Sequence, residues 1–369
     1  MKISCLKSNL LSSIQTVYRA VSSKSTMSII ECILIDAKED MIKLTANNME
    51  LAIETILKGD IIEHGSVALD AKILQDIVRH LPDSDITISV EDNLLTVITC
   101  EKSEFKIVGK RADEFPSLPE VEKDDPLTIS HLTLKDMVRQ TIFSISENDN
   151  NKVMGGEFIE VKDNNLKMVS LDGHRISIRK IELKNGHEDI KAIVPGKTLN
   201  EVSKIISNDI NKTINIFFTD KHVLFEFENT IVVSRVIEGE YFNIDQMLSN
   251  DYETKFEIKK NELLNSIERS TLLVDETNKK PIIISITDDS MELKINSVIG
   301  SMNEEIDISK DGQDITIGFN PRFLIDALRV IDDETITVYM VNPKAPCIIK
   351  NDTETYIYLI LPVNFNTVQ

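Results

Sequence analysis

Three stretches of the chain share one pattern of apolar and polar positions. When VALDAKILQDIVRHL (67–81), AIVPGKTLNEVSKII (192–206) and TIGFNPRFLIDALRVI (316–331) are set in register, Leu74, Leu199 and Leu324 coincide, as do Ile77, Val202 and Ala327, and then Leu81, Ile206 and Ile331. Apolar positions three or four apart describe one face of a short amphipathic helix. Each helix is entered from a strand through a turn-forming residue, Asp70, Pro195 or Asn320. A second helix is predicted near the start of each third: LLSSIQTVYRAV from Leu10, LKDMVRQTIFSI from Leu134 and LLNSIERSTLLV from Leu263. Strand-like runs (KISCL, LTISHL, FEIKK) precede them.

Between and after these helices lie alternating, β-branched segments such as ITISVEDNLLTVIT, INIFFTDKHVLFEFE and ETYIYLILPV, with Asp-Asn or Thr-Asp pairs at the bends. Each third therefore reads as two helices and about eight strands. The fold class is α+β: three repeated domains, each with two helices packed on antiparallel sheets. VEKDDP (121–126) and LSNDYETK (248–255) read as short linkers that leave the thirds packed as one body, which places the domains at 1–124, 125–251 and 252–369.

The 369 residues suffice for substantial buried cores, and 41% hydrophobic with 28% charged residues is ordinary globular usage. Sixty-one Asp and Glu against 41 Lys and Arg give a formal charge of −20, which taken alone disfavours an anionic partner. The distribution of charge reverses that inference. The three repeat helices carry Lys72 and Arg79, Lys197 and Lys204, and Arg322 and Arg329. Members of each pair are seven apart, and each lies 125 from its counterpart. Seven residues is two helical turns, so each helix exposes one basic stripe. Cations gathered against an acidic background suit contact with a polyphosphate backbone, and the scarcity of aromatics (no Trp, six Tyr) gives no sign of base stacking.

Cys5, Cys32, Cys100 and Cys347 have no short spacing and read as reduced thiols of a cytoplasmic protein. No stretch approaches the length of a membrane span, and MKISCLKSNLLSSIQ lacks the apolar run of a signal peptide, so no membrane association is expected.

Five segments, GKRADEFPSLP (109–119), SLDGHRIS (170–177), VIEGEYFN (236–243), IGFNPRFLIDAL (317–328) and YLILPV (358–363), carry a resemblance from Met1 to Phe365 to the bacterial sliding clamps, the β subunits of DNA polymerase III. The resemblance implies a head-to-tail homodimer in which this chain is half of a closed ring, helices inside, with duplex DNA through the hole. It implies a processivity factor that contacts DNA without sequence specificity. The DNA-facing positions it implies are Lys24, Lys72, Arg79, Lys197 and Lys204, with the loop from Glu147 to Lys152.

It further implies a peptide pocket between the second and third domains, built from Met154, Leu171, Gly173, His174, Arg175, Ile176, Phe242, Met247, Phe323, Ile360, Leu361, Pro362 and Val363, with Asn320 and Asn364 as polar members. The implied occupants are the α subunit of DNA polymerase III, the clamp loader, and other proteins bearing the clamp-binding motif, such as repair polymerases, ligase and mismatch-repair proteins. Phe242 stands where the family commonly has Pro, Gln246 and Asn364 where Arg is frequent, and NTVQ extends past Phe365.

Enzyme chemistry is not expected. Asp172 to Arg175 could be offered as an acid–base group, but a turn between strands explains Asp-Gly more simply. Gly196-Lys197-Thr198 imitates a phosphate-binding loop, yet the glycine needed five residues earlier is Lys191. His64, His80, His131, His187 and His222 have no ligand spacing, so neither metal nor organic cofactor is expected.

Overall fold

The structure is a computed structural model, and it describes residues 1–22, 26–146, 151–184, 186–248, 251–273, 280–351 and 353–365. Six helices occur among them: α1 (Lys7–Val17), α2 (Ala71–His80), α3 (His131–Thr141), α4 (Gly196–Ile205), α5 (Lys260–Thr271) and α6 (Pro321–Val330). Each repeat segment yields the helix that its apolar spacing predicts. The capping residues act locally. Asp70 accepts the Ile73 N–H at 2.8 Å, and Asn320 accepts the Arg322 N–H at 3.1 Å ahead of Pro321.

By compactness the chain divides into two units, Met1–Thr133 with Lys197–Val236, and Leu134–Gly196 with Ile237–Gln369. The first unit holds two antiparallel sheets. A five-stranded sheet runs Asp60–Glu63, Lys2–Leu6, Asp85–Val90, Leu95–Cys100, Ser103–Val108. An eight-stranded sheet runs Leu127–Ser130, Thr213–Phe218, His222–Phe227, Thr230–Arg235, Leu51–Leu57, Ile42–Asn47, Cys32–Ala37, Gly65–Asp70. The second unit likewise holds a nine-stranded sheet, Ile190–Pro195, Gly156–Lys162, Asn165–Leu171, Arg175–Glu182, Tyr356–Ile360, Cys347–Lys350, Thr335–Met340, Thr254–Lys259, Ser309–Gly312. Its four-stranded sheet runs Ser301–Asp307, Ser290–Asn296, Ile282–Thr287, Ile315–Phe319.

The large sheet of each unit crosses a boundary of the sequence repeat. In the first, Val232 pairs with Ile53, and the Thr230 and Thr55 hydroxyls meet at 2.8 Å in the buried seam. In the second, Ile178 pairs with Ile357 and Ile176 with Leu359. Short edge strands, Asp60–Glu63 and Ser309–Gly312, raise the number in the first and last thirds to nine each, against eight in the central one, among the described residues.

Val121 to Pro126 carries neither helix nor strand, but it is held down: Leu118 and Val121 pack on Phe217, Leu224 and Val233, and Lys123 pairs with Glu226 at 2.6 Å. The second expected linker is shorter than its polarity suggests. A strand begins at Thr254, whose side chain is buried and donates to the Gln313 carbonyl at 2.8 Å.

One buried group sets a pH dependence. Glu157 is fully buried, and burial raises its carboxyl from 4.5 to about 8. Thr141 Oγ1 contacts both this carboxyl and the Met137 carbonyl, the latter at 2.7 Å. A hydroxyl has one proton to give, so a protonated Glu157 completes the chain. From about pH 4.5 to about pH 8 the unfolded chain releases this proton and the folded chain keeps it, so stability falls as pH rises through that window. Glu157→Gln removes the dependence. Thermal melts of variant and parent should differ least near pH 4.5 and diverge in the variant's favour by about 1.4 kcal/mol per pH unit, levelling off near pH 8.

Candidate functional site

The cationic positions are set by what each repeat helix buries. In α2, Ala71, Leu74 and Val78 face the core, which turns Lys72 and Arg79 outward. In α4, Thr198, Leu199 and Val202 are buried and Lys197 and Lys204 exposed. In α6, Leu324, Ala327 and Leu328 are buried and Arg322 and Arg329 exposed. All six stripe residues are therefore solvated.

They differ in what they touch. Lys204 pairs with Glu201 at 2.8 Å, and Arg329 with Glu268 at 2.8 Å. Lys72, Arg79 and Lys197 make no ion pair within the described residues, leaving their charge available to an outside anion. Lys24 and residues 147–150 lie outside the described residues. Gly196 is a packing residue: a Cβ there would collide with the Ile145 side chain, which accounts for the glycine of Gly-Lys-Thr without any phosphate loop.

The second group of expected residues lies in the second unit and falls into two patches. Strand pairing sets Arg175 opposite Ile360 and Ile176 opposite Leu359, and the Leu361 N–H donates to the His174 carbonyl at 2.8 Å. The first patch packs Met154 and Phe242 on buried Leu171, Ile176, Ile244 and Leu359. Met247 stands beside Ile244 and is 43% exposed. The second patch carries exposed His174 stacked on Phe323 (ring centroids 6.1 Å apart), with Leu361, Val363 and Asn364 also exposed. Pro362 is half-buried between them, and the Val363 N–H reaches the Gly318 carbonyl at 2.9 Å. Ile360 has no exposed surface and belongs to the core rather than to a wall. Asn320 is occupied as the cap of α6, and residues 366–369 lie outside the described residues.

Arg175 ties the second patch together. Its guanidinium donates to Asp172 Oδ2 at 2.9 Å, Asp326 Oδ2 at 2.7 Å and the Phe143 carbonyl at 2.6 Å, and lies 4.3 Å from the Phe323 ring centroid. Sequence reasoning named Arg175 and Phe323 but missed Asp326, one helical turn beyond Phe323 on α6 and one of the two acids that hold the Arg175 guanidinium. Asp172 is fully engaged, since Oδ1 accepts the backbone N–H groups of His174 and Arg175. Gly173, at φ +87°, makes the turn between the two strands. A carboxylate so occupied is no partner for His174 in acid–base chemistry.

Among the described residues, no three His, Cys, Asp or Glu side chains are grouped so as to hold a metal ion. The four cysteines are free and buried, and burial raises their thiols. No described helix is long and apolar enough to cross a membrane. In the first unit a polar cleft of about 360 Å3 lies between α1 (Asn9, Ser12, Thr16) and the end of α4 (Ile205 to Ser207), with Lys58 and the Lys212–Glu228 pair among its walls.

Comparison with known proteins covers nearly the whole chain. The family models for the DNA polymerase III beta subunit match in order: the N-terminal domain at residues 1–119, the central domain at 128–243 and the C-terminal domain at 245–364. The chain is 33% identical over 374 residues to the beta sliding clamp of Staphylococcus aureus (strain Mu50 / ATCC 700699), covering 98% of this chain and 99% of that one. It is similar to the crystal structure of a proposed DNA polymerase III beta subunit from Eubacterium rectale ATCC 33656, with 60% identity, TM-score 0.98 and full coverage of both chains. It is also similar to that of the DNA polymerase sliding clamp from Bacillus subtilis, with 31% identity, TM-score 0.96, and 99% of this chain and 100% of that chain covered.

The geometry around Arg175 makes a stability prediction. Arg175→Ala leaves Asp172 and Asp326 facing each other without a cation. Denaturant unfolding should show a loss of about 2–3 kcal/mol, while Asp326→Asn, which keeps the arginine and Asp172, should cost less.

Proposed function

The chain belongs to the DNA polymerase III beta subunit family, the beta sliding clamps, and is a non-catalytic processivity clamp; from this we propose that two copies close into a ring around duplex DNA. The observation that carries the reading is the repeated outward placement of cations on a chain of charge −20, three of them without an ion pair among the described residues. Lys24, Lys72, Arg79, Lys197 and Lys204 are the proposed phosphate contacts. Phosphate attraction is indifferent to sequence and permits sliding. Closure then prevents escape, so the contacts need not be tight. The three domains at 1–124, 125–251 and 252–369, and a cytoplasmic location, belong to the same proposal.

Ring closure is supported by the way the sheets repeat. Thr230–Arg235 pairs with Leu51–Leu57 at one repeat boundary, and Tyr356–Ile360 with Arg175–Glu182 at the next. The strands at the corresponding third positions, Ser103–Val108 and Ser301–Asp307, are sheet edges. Both regions expose apolar side chains: Phe105 (41%) and Val108 (77%) on the first strand, and Val298 (89%) and Ile299 (69%) beside the second. Such edges invite pairing, and a head-to-tail dimer joins them twice.

The patches around Met154, Phe242 and Met247, and around His174, Phe323, Leu361 and Val363, are the proposed seat of a short apolar partner motif, with Leu171, Gly173, Arg175, Ile176, Asn320, Ile360, Pro362 and Asn364 as floor and frame. The polymerase α subunit, the clamp loader and repair proteins carrying that motif are the proposed occupants.

Two measurements test the reading. Once loaded on a nicked circle by a clamp loader, the protein should remain bound, and it should run off when the circle is cut; equal retention on both forms would overturn encirclement. Lys72→Glu with Lys197→Glu should lower the salt concentration at which loading fails, with little change in melting temperature because both side chains are solvated. A large thermal loss would contradict their role as surface cations.

A further inference from the structure

The basic stripe hides a second repeat of opposite sign. Asp76, Glu201 and Asp326 sit 125 residues apart on α2, α4 and α6, each four residues after the first stripe cation and three before the second. Two of these acids are already consumed across a repeat boundary. Glu201, in the central-domain match, pairs at 2.8 Å with Arg19 in the N-terminal one. Asp326, in the C-terminal match, pairs at 2.7 Å with Arg175 in the central one. In each case the helix reaches back in the same direction as the sheet that continues across that boundary. Asp76 is exposed and makes no ion pair within the described residues.

We infer that Asp76 is the third copy of this contact, and that its arginine is Arg269 on the C-terminal domain of a second copy of this chain. The inference rests on the dimer reading above and adds the residues that lock it. Arg269 occupies the repeat position of neither Arg19 nor Arg175; it is chosen because its position on the first helix serves the boundary elsewhere. In the register of the first helices, Thr16, Gln140 and Arg269 coincide. Gln140 already serves its boundary, donating through Nε2 to the Val330 carbonyl and Asp332 Oδ2, both at 3.1 Å, and Thr16 lines the cleft that faces the end of α4.

Arg269 is also suited by what it holds. It is about half exposed and grips Glu304 on the edge strand Ser301–Asp307, Nε lying 3.0 Å from Oε2. An arginine shared between an acid of its own domain and one from the next is what Arg175 shows with Asp172 and Asp326. Asp76 of one copy would complete the same triad around Arg269 of the other, beside the edge strands proposed to pair.

The test is a charge swap read by sedimentation equilibrium of the full chain. Asp76→Arg and Arg269→Asp should each weaken the dimer by about tenfold or more, and the double swap should recover most of that loss. A dimeric parent with Asp76→Arg unchanged in dissociation constant overturns this assignment and leaves the ring standing. A parent monomeric at every concentration overturns the ring reading itself. As an independent check, Asp76→Ala with Arg269→Ala should weaken the dimer by clearly less than the product of the two single effects, and strictly multiplicative effects would reject the contact.

Discussion

Antiparallel backbone pairing across the repeat boundaries is the constraint on which everything else rests. A single third offers two small sheets, each with an unsatisfied edge, and an edge strand is both a source of unpaired N–H and C=O groups and a template for association. In this chain four such edges are removed, two at each boundary, by pairing one third with the next through Val232 with Ile53 and Ile178 with Ile357. The seams are specific. In the first seam two buried hydroxyls meet, Thr55 with Thr230 at 2.8 Å, which helps to fix register where apolar residues alone would tolerate slippage. Helix placement follows, because each repeat helix is delivered by the last strand of a sheet whose register is already set.

Register in turn decides where charge appears. Burial of Leu74, Leu199 and Leu324 gives each helix the same inward face against its own core, so on each helix the cations at matched positions emerge on the outward face. An overall charge of −20 is then compatible with contact to an anion, since what matters is the local field of a helix face and not the sum over the molecule. The same economy would serve the proposed peptide patches. Their floor, Leu171, Ile176 and Leu359, is core material that stability requires in any case, and only a few exposed groups, Met247, His174, Leu361 and Val363 among them, remain for recognition.

Much of this is legible in the sequence because it is local. Apolar spacing locates all six helices, Asp70 and Asn320 are readable as helix entries, and the matched cations emerge from simple superposition of the repeats. What escapes is non-local. The partners in the seam between Thr55 and Thr230 are 175 residues apart, and no local pattern distinguishes them from any other alternating strand. The linker ending at Lys255 reads too long because Ser249, Asn250, Asp251, Glu253 and Thr254 are all polar. Thr254 is nevertheless buried, its hydroxyl satisfied by the Gln313 carbonyl. Ile360 reads as a wall residue on family likeness, though its place on the strand turns it wholly into the core. Asp326 is masked by the cations flanking it, although its repeat spacing is equally visible.

The acids between the cations raise a last physical question. A carboxylate one helical turn from Lys197, Lys72 or Arg322 would repel the phosphates that the stripe is proposed to attract, and would also weaken the field of its neighbours. Tying that carboxylate to an arginine answers both problems. Glu201 accepts Arg19 as well as Lys204, and Asp326 is held by Arg175, which also serves Asp172, so in each helix the offending charge is compensated at the boundary it bridges. Boundary contact and stripe are thus two uses of one helix: the acid that joins a domain to its neighbour is neutralised by that joining, and the adjacent cations keep their reach into solvent. On α2 the acid remains uncompensated in the single chain, so for this helix a fully cationic face requires a neighbour.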